Sequence, residues 1–243
     1  MSDGRFKLLR ESDTDAIVRD FQTGCDLKLE PDSDLDGAEV TLLMQINESM
    51  GGRAFVTGRD ITAYLDRIPL EELNCDQQII EVGAGISELL PSIVNNLGDQ
   101  MPNKPIVIDP INYDHALAIL TEACTTYRND SIVGVLIDRI EEFRRRCEIF
   151  MSDKIDHLRM TLRDAVDSMH PKVFGRADVV IELFGPSYHP DIDFGHDASP
   201  CDMETLLTIM KMRRKLLKDP TTGIDISNGI CEEQLSTNVC SLT

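Results

Sequence analysis

The chain has 243 residues, of which 42% are hydrophobic and 28% charged, and its formal net charge at pH 7 is -19. This length and apolar content predict a globular protein with a sizeable buried core. The negative charge disfavours binding to a nucleic acid duplex and favours a small molecule or a protein as the partner. No apolar run reaches the roughly 18 residues of a membrane helix, and the first residues lack a signal-peptide pattern, so we expect no membrane association.

The seven cysteines are scattered along the chain without metal-type pairs. This distribution is typical of reduced thiols in a cytoplasmic protein, which is the location we expect. Two basic clusters, Arg144–Arg146 and Arg213–Lys215, lie within helical patterns. Each cluster is open to two interpretations, a solvated helix face or a contact with an anionic ligand or substrate.

Residues 1–38 form an acid-rich segment that we expect to be partly disordered, with a short helix allowed between Phe6 and Phe21. The alternating acids near residue 32 resemble the start of a calcium loop, but Leu43 stands where such a loop needs a glutamate. We therefore predict no metal site there. An apolar stretch, 40–46, follows this segment.

The stretch from Gln78 to Asp109 is the strongest pattern in the chain. An apolar run, 79–82, enters the turn Gly83–Gly85, and apolar positions at helical spacing follow from Ile86 to Leu97. A second apolar run then ends in Asp109. We interpret this order as strand, glycine turn, helix, strand and acid, which is a nucleotide-binding type of βαβ unit.

Glycine suits this turn because a Cβ would obstruct both the sharp change of direction and the approach of a ligand to the backbone. Asp109, at the tip of the second strand, can accept hydrogen bonds from ribose hydroxyls. A dinucleotide site would have Gly or Ala where this chain has Glu88, whose carboxylate competes with a phosphate for the helix N-terminus. A dinucleotide is therefore disfavoured, and a βαβ unit without a cofactor stays open.

The motif Glu81-Val-Gly-Ala-Gly-Ile-Ser87 resembles motif I of the class I S-adenosylmethionine-dependent methyltransferases, with Ser87 where the family often has a third glycine. The resemblance implies S-adenosylmethionine as the cofactor. It also implies an α/β fold over residues 39–243, a Rossmann-like, doubly wound, mostly parallel sheet with helices on both faces. In the family's arrangement Glu81 lies near the methionine amino group, Asp109 binds the ribose, and the cofactor is lined by Gly83, Ala84 and Gly85.

Helical spacing after Asp109 predicts helices over 115–127 and 137–150, and the second has Phe143, Cys147 and Phe150 on its apolar side. The distance to the next family position exceeds the usual strand-helix-strand step. We interpret the excess as a helical insertion near 130–155. Alternation of apolar and polar residues predicts the third strand over 158–162.

Two short segments resemble positions that contact the adenine in the family. In the family a residue just after the ribose-binding acid often stacks on the adenine, so Pro110, Ile111 and Tyr113 are candidates for this contact. Packing in the core is the alternative interpretation of Ile111 and Tyr113. Asp164 and Ala165 resemble the acid and small residue that bind the adenine amino group. A helix cap or turn is the alternative interpretation of this second pair.

The apolar run 177–184 predicts the fourth strand, since a parallel strand buried on both faces is apolar nearly throughout. The resemblance counts Glu182, near its end, among the cofactor-binding residues. The loop after this strand should lie at the reaction centre. Tyr188 and His189 in this loop are candidates to orient or deprotonate the substrate, with an ordinary polar loop as the alternative. The loop lacks the Asn/Asp-Pro-Pro-aromatic motif of amine-methylating members, so amine methylation is not supported.

The last elements are a helix over 203–217, a turn and a strand over 224–230. The 13 residues that follow (243 − 230 = 13) are too few for the helix and antiparallel hairpin that end the usual fold. We expect either a shortened sheet or a replacement edge strand from 40–46, with a homodimer as one way to cover the open edge.

The function that these residues predict is an S-adenosylmethionine-dependent methyltransferase acting on a small molecule or a protein. The alternative is a catalytically inactive methyltransferase-like protein with an interaction or regulatory role.

Overall fold

The computed structural model describes residues 6–11, 16–20, 26–29, 76–97, 101–126, 128, 137–183, 185–187, 190–195, 198 and 202–227. The chain divides into two compact units, one comprising residues 1–60 and 111–151 and the other residues 61–110 and 152–243. In chain order the elements are β1 (Phe6–Glu11), β2 (Ala16–Asp20), β3 (Asp26–Leu29), β4 (Ile79–Val82), α1 (Leu89–Leu97), β5 (Ile106–Ile108), α2 (Tyr113–Thr126), α3 (Ile137–Phe150), β6 (Asp156–Leu158), α4 (Leu162–Asp167), β7 (Val179–Glu182), α5 (Pro190–Phe194), α6 (Met203–Arg214) and β8 (Ile224–Ser227).

The N-terminal strands β1, β2 and β3 form a three-stranded antiparallel sheet in the first unit. Phe6 lies opposite Asp20, and the register shifts between Leu8 and Arg10. The short helix expected between Phe6 and Phe21 is therefore wrong. The runs that form β1 and β2 are short and separated by polar residues, and two such runs gain more from pairing across a hairpin than from a marginal helix.

Helices α2 and α3 of the first unit pack against each other. The rings of Tyr113 and Phe150 stack with centroids 4.8 Å apart and planes 4° apart. Phe143, Cys147 and Phe150 are buried, which confirms the predicted apolar side of the helix over 137–150. An apolar stripe at helical spacing was sufficient to predict this element.

Two of the three arginines in the basic cluster on α3 are paired within their own helix. Arg144 and Arg146 form ion pairs with Glu148 and Glu142, one turn away in opposite directions. The guanidinium of Arg146 also lies 5.2 Å from the centroid of the Phe143 ring. These contacts favour the interpretation of the cluster as a helix face stabilised by neighbouring acids.

The second unit contains a five-stranded, all-parallel sheet with the strand order β6-β5-β4-β7-β8. Every residue of β4, β5 and β7 is buried, as expected for parallel strands covered on both faces. The chain builds β4, β5 and β6 outward in one direction and then places β7 on the other side of β4. The strand order thus reverses between β4 and β7, where a crevice opens at the carboxyl ends of such strands.

One face of this sheet carries α4 and α6. Their buried side chains, Val166 and Ile209 among them, share a core cluster with Ile80 and Val180 of the central strands. The fold is therefore α/β, with a parallel sheet flanked by helices. The predictions of β4, α1, β5, β7, α6 and β8 are confirmed as elements, with α1 beginning three residues later than the apolar pattern.

The third strand of the sheet lies earlier than predicted. The prediction placed it over 158–162, whereas β6 spans Asp156–Leu158 and Thr161 caps the helix that follows. The Thr161 hydroxyl accepts a hydrogen bond from the backbone N–H of Asp164 at 3.1 Å. Capping by a threonine side chain ends the extended segment and begins a helix, and apolar alternation alone does not reveal it.

The described residues end at Ser227, so the predicted loss of the last two strands and the replacement strand over 40–46 both lie outside them. Among the helices that the structure describes, none is both long enough and apolar enough to cross a membrane.

Candidate ligand site at the carboxyl ends of β4 and β7

The turns that follow β4 and β7 touch through their backbones. Gly83 and Gly85 have positive φ angles, 65° and 54°. A Cβ added to Gly83 would lie 2.5 Å from the Cα of Gly185, and a Cβ added to Gly185 would lie 2.7 Å from the carbonyl oxygen of Val82. Both positions therefore require glycine, and their contact lies where the strand order reverses, which is where such sheets generally bind ligands.

Asp109 connects the strand end of β5 to the glycine turn. Its Oδ2 accepts a hydrogen bond from the backbone N–H of Gly85 at 2.8 Å. Its own N–H donates to the carbonyl of Leu158 at 3.2 Å, and Gly83 donates to the carbonyl of Ile108 at 2.9 Å. The carboxyl ends of three neighbouring strands are thus held in one arrangement around the buried Asp109 side chain.

Glu81 places a carboxyl group beneath the same turn. The residue is 1% exposed, and its Oε1 accepts a hydrogen bond from the Ser87 hydroxyl at 3.0 Å. Its Oε2 is buried and has no hydrogen-bond partner within the described part of the chain. Burial, reinforced by the charge of Asp109 and offset by Ser87, raises the pKa of Glu81 to about 8. The acid is therefore largely protonated at neutral pH, and a ligand cation at Oε2 would favour its ionised form.

Glu182 projects to the opposite face of the sheet from Glu81. The register pairs Glu81 with Ile181, and neighbouring residues of a strand point to opposite faces. Glu182 is fully buried, and its oxygens accept the Ser187 N–H at 2.6 Å and the Ser187 hydroxyl at 3.0 Å. It also forms a buried ion pair with Arg213 of α6. Glu182, which was predicted to contact the cofactor, therefore holds the loop after β7 through Ser187.

The remaining predicted site residues are not gathered around the glycine turn in the same way. Asp164 is exposed in the first turn of α4, where its N–H is capped by Thr161, and Ala165 is buried in the core beneath that helix. This geometry favours the helix-cap interpretation of the pair. Pro110 is exposed and is the last residue of the segment 61–110, which holds Asp109.

Three predicted residues cannot be placed in the site. Ile111 is buried and begins the segment 111–151 of the other compact unit. Tyr188 and His189, the candidates for substrate contact, lie outside the described residues.

Two polar anchors of the site region were not predicted. Ser187 received no role, and Arg213 was interpreted as part of a solvated helix face or of a contact with an anionic ligand, yet it is 4% exposed and pairs with acids of the chain itself. Asp193 on α5 is also buried and accepts the Arg163 N–H at 2.7 Å, and burial raises its pKa. The contacts of Arg213 and Asp193 join residues 31 and 30 positions apart in the chain, so no local spacing in the sequence signals them.

Comparison of this chain with protein-family models, curated proteins and solved structures finds no match. The chemistry of the site itself must therefore carry any assignment of function.

Proposed function

We propose that this chain has a Rossmann-like domain that binds S-adenosylmethionine at the carboxyl ends of β4 and β7. We propose further that it transfers the methyl group to a small molecule or a protein side chain. The observation that supports this proposal most directly is the buried Oε2 of Glu81, which has no partner among the described residues and lies beside a turn that only glycine can form.

The charge and shape of the site are suited to a ligand that is part cation and part nucleoside. A methionine ammonium group can donate to the Glu81 carboxylate and compensate for its burial. Asp109 supplies the second acid, at the position suited to ribose hydroxyls in a βαβ unit. Gly83 has no Cβ, which allows the Gly185 turn to lie against it at the carboxyl ends of β4 and β7.

When bound, S-adenosylmethionine supplies a methyl group already activated on a sulfonium sulfur. The residues of this chain then have to orient the ligand so that the acceptor atom, the methyl group and the sulfur are aligned. This alignment accounts for most of the rate gain in such a transfer. Glu81 and Asp109 hold the two ends of the ligand in this assignment, and the contact between Gly83 and Gly185 sets the surface on which it lies.

Calorimetric titration with S-adenosylmethionine tests the proposal, with NADH as the control ligand and Asp109→Ala as the control protein. We expect micromolar affinity for S-adenosylmethionine, no binding of NADH, and loss of binding in the variant. Binding of neither ligand by the wild-type chain would rule out the proposed enzyme. Binding of NADH alone would instead assign the glycine turn to a dinucleotide.

A second candidate function is a methyltransferase-like interaction or regulatory protein without catalytic activity. It is favoured by Glu182, whose carboxylate is committed to Ser187 and Arg213, and by the exposed helical position of Asp164. Both departures reduce the number of residues that contact a cofactor. Binding of S-adenosylmethionine without formation of S-adenosylhomocysteine, over a broad panel of acceptors, would support this candidate over the enzyme.

A cytoplasmic location and a homodimer stay predictions that accompany this function. The two described cysteines, Cys124 and Cys147, are free and buried. Burial raises the pKa of the Cys147 thiol to about 12. Such a thiol is unreactive at neutral pH, which supports a structural role for this residue.

A further inference from the structure

A cluster of charged side chains connects α6 to Glu182 at the end of β7 and to Asp225 within β8. The side chain of Arg213 is 5% exposed and forms an ion pair with Glu182. Its Nε lies 3.0 Å from Oδ1 of Asp225, and its Nη2 donates to Oδ2 of the same residue at 3.4 Å. Burial alone would lower the pKa of Arg213, but the two facing carboxylates outweigh it and hold that pKa above its ordinary value.

Glu182 is bonded both to Arg213 and to the loop after β7. One of its oxygens accepts the Ser187 N–H, and the other accepts both the Ser187 hydroxyl and the guanidinium of Arg213. The carboxylate is thereby held from two sides. Gly185, which lies between Glu182 and Ser187 in the chain, is the residue that contacts Gly83 across the crevice.

The chemistry of this cluster differs from that of its surroundings. The same part of α6 packs Ile209 and Met212 into an apolar core. Taking charged groups out of water is unfavourable before they pair, and apolar residues of similar volume would stabilise the helix at least as well. A carboxylate can accept the backbone N–H and the hydroxyl of a turn, which an apolar side chain cannot do.

We propose that Arg213 is a positioning residue that, through Glu182 and Ser187, sets the contact between the Gly185 turn and the Gly83 turn. On the basis of the proposed function, this contact determines the affinity for S-adenosylmethionine. The coupling between the two turns is a property of the protein without ligand and is measured separately.

The test compares three variants with the wild-type chain. Arg213→Lys keeps a cation but loses the planar fork that reaches both acids. Ser187→Ala removes a single hydroxyl and leaves the charged cluster complete, so it keeps the test valid if Arg213→Lys folds poorly. Ile209→Val removes one methyl group from the same helix and serves as the control for a loss of stability without a change in the cluster.

Two measurements are made on each variant. The first is the backbone amide chemical shift of Gly83, Gly85 and Gly185 without ligand. The second is the calorimetric affinity for S-adenosylmethionine. We expect Arg213→Lys and Ser187→Ala to shift the Gly83 and Gly185 amides and to weaken binding by roughly tenfold, while Ile209→Val changes neither.

Unchanged amide shifts at Gly83 in both cluster variants would overturn the positioning role, whatever the affinity. Unchanged affinity with shifted amides would overturn its connection to the ligand. If the wild-type chain binds no S-adenosylmethionine and the amides still respond, the proposed function is wrong and the coupling between the two turns stands.

Discussion

Asp109 accepts the backbone N–H of Gly85 at 2.8 Å, so the acid that follows β5 is bonded to the turn that follows β4. The same carboxylate contributes to the raised pKa of Glu81 through charge repulsion. One residue therefore influences both the geometry of the glycine turn and the charge of the acid beneath it. A ligand that binds to Asp109 should therefore also change the pKa of Glu81 and the geometry of the glycine turn.

Replacement of Asp109 by asparagine should separate these two effects. The amide oxygen of the Asp109→Asn variant would still accept the Gly85 N–H, but the side chain would carry no charge. Because burial is the larger cause and is unchanged, we expect the pKa of Glu81 to fall only by a small part of its elevation. The measurement is a ¹³C NMR titration of the Glu81 carboxyl carbon. Asp167→Asn, at an exposed position of α4, is the control. A Glu81 pKa that is the same in both variants would contradict the coupling.

Glu81→Gln should make the protein more stable above neutral pH. The folded pKa of about 8 exceeds the ordinary value of 4.5, so the folded state retains a proton that the unfolded state has lost. Stability from this group is fully present below the unfolded pKa and declines as the pH rises toward 8. Glutamine imitates the protonated acid, so the variant should lose this decline, which is on the order of a few kcal/mol.

Urea denaturation of both proteins at about pH 5 and about pH 8 measures this difference. Glu88→Gln, in the same turn, is the matched control because Glu88 is only partly buried. The proposed function adds an opposite effect on binding, since glutamine cannot carry the charge that attracts an ammonium group. A variant that is more stable but binds S-adenosylmethionine more weakly would support both inferences. Equal stability at the two pH values in the wild-type chain would refute the inference that Glu81 makes stability decline as the pH rises.

Gly83→Ala and Gly175→Ala form a matched pair for the contact between the two turns. Both glycines have a positive φ, 65° and 63°, but a Cβ on Gly175 meets nothing within 4 Å, whereas one on Gly83 would lie 2.5 Å from the Cα of Gly185. We expect Gly175→Ala to lose about 1 kcal/mol from backbone strain alone. Gly83→Ala should lose roughly 2–4 kcal/mol because steric overlap is added.

The difference between these two free energies of unfolding, from urea titration, isolates the steric contribution of the contact. Equal losses in the two variants would show that the turn can move apart from Gly185 without cost. In that case the close approach of Gly83 and Gly185 would not hold the two turns in a fixed arrangement.

Asp178→Asn should weaken the start of the parallel sheet and change its response to acid. Oδ2 of Asp178 accepts the Gln78 N–H at 2.7 Å and the Lys218 ammonium at 2.6 Å. Burial by itself would raise the pKa of Asp178, but the bond from Lys218, together with that from Gln78, lowers it. The group thus adds stability above its unfolded pKa, and this stability is lost as the pH falls through the folded pKa.

We expect Asp178→Asn to lose about 1 kcal/mol at neutral pH, a modest value because Lys218 is half exposed. The deficit relative to the wild-type chain should disappear as the pH falls below the ordinary range of an aspartate. Denaturation curves at several acidic pH values measure this convergence. A deficit of constant size across that range would assign the loss to packing and not to charge.

Local sequence patterns were sufficient to predict those helices and strands whose type does not depend on a distant partner. The apolar run of β4, the glycine turn and the stripe of α1 are adjacent in sequence, and α3 was predicted over its full length. These signals follow from periods of two and 3.6 residues, which require no knowledge of the partner. The same patterns failed for β1 and β2, because a short apolar run fits either a strand or a helix and the choice depends on what pairs with it.

The sequence by itself determined the α/β class and the glycine turn between β4 and α1. It also determined that Glu81 lies near the end of β4 and that Asp109 directly follows β5. Only the tertiary structure decided which way the later acids point and what they bind. Glu182 faces Arg213, 31 residues away in the chain, because the register of β7 against β4 directs it away from Glu81. A shift of one residue in that register would reverse the face, and register is set by contacts between distant segments.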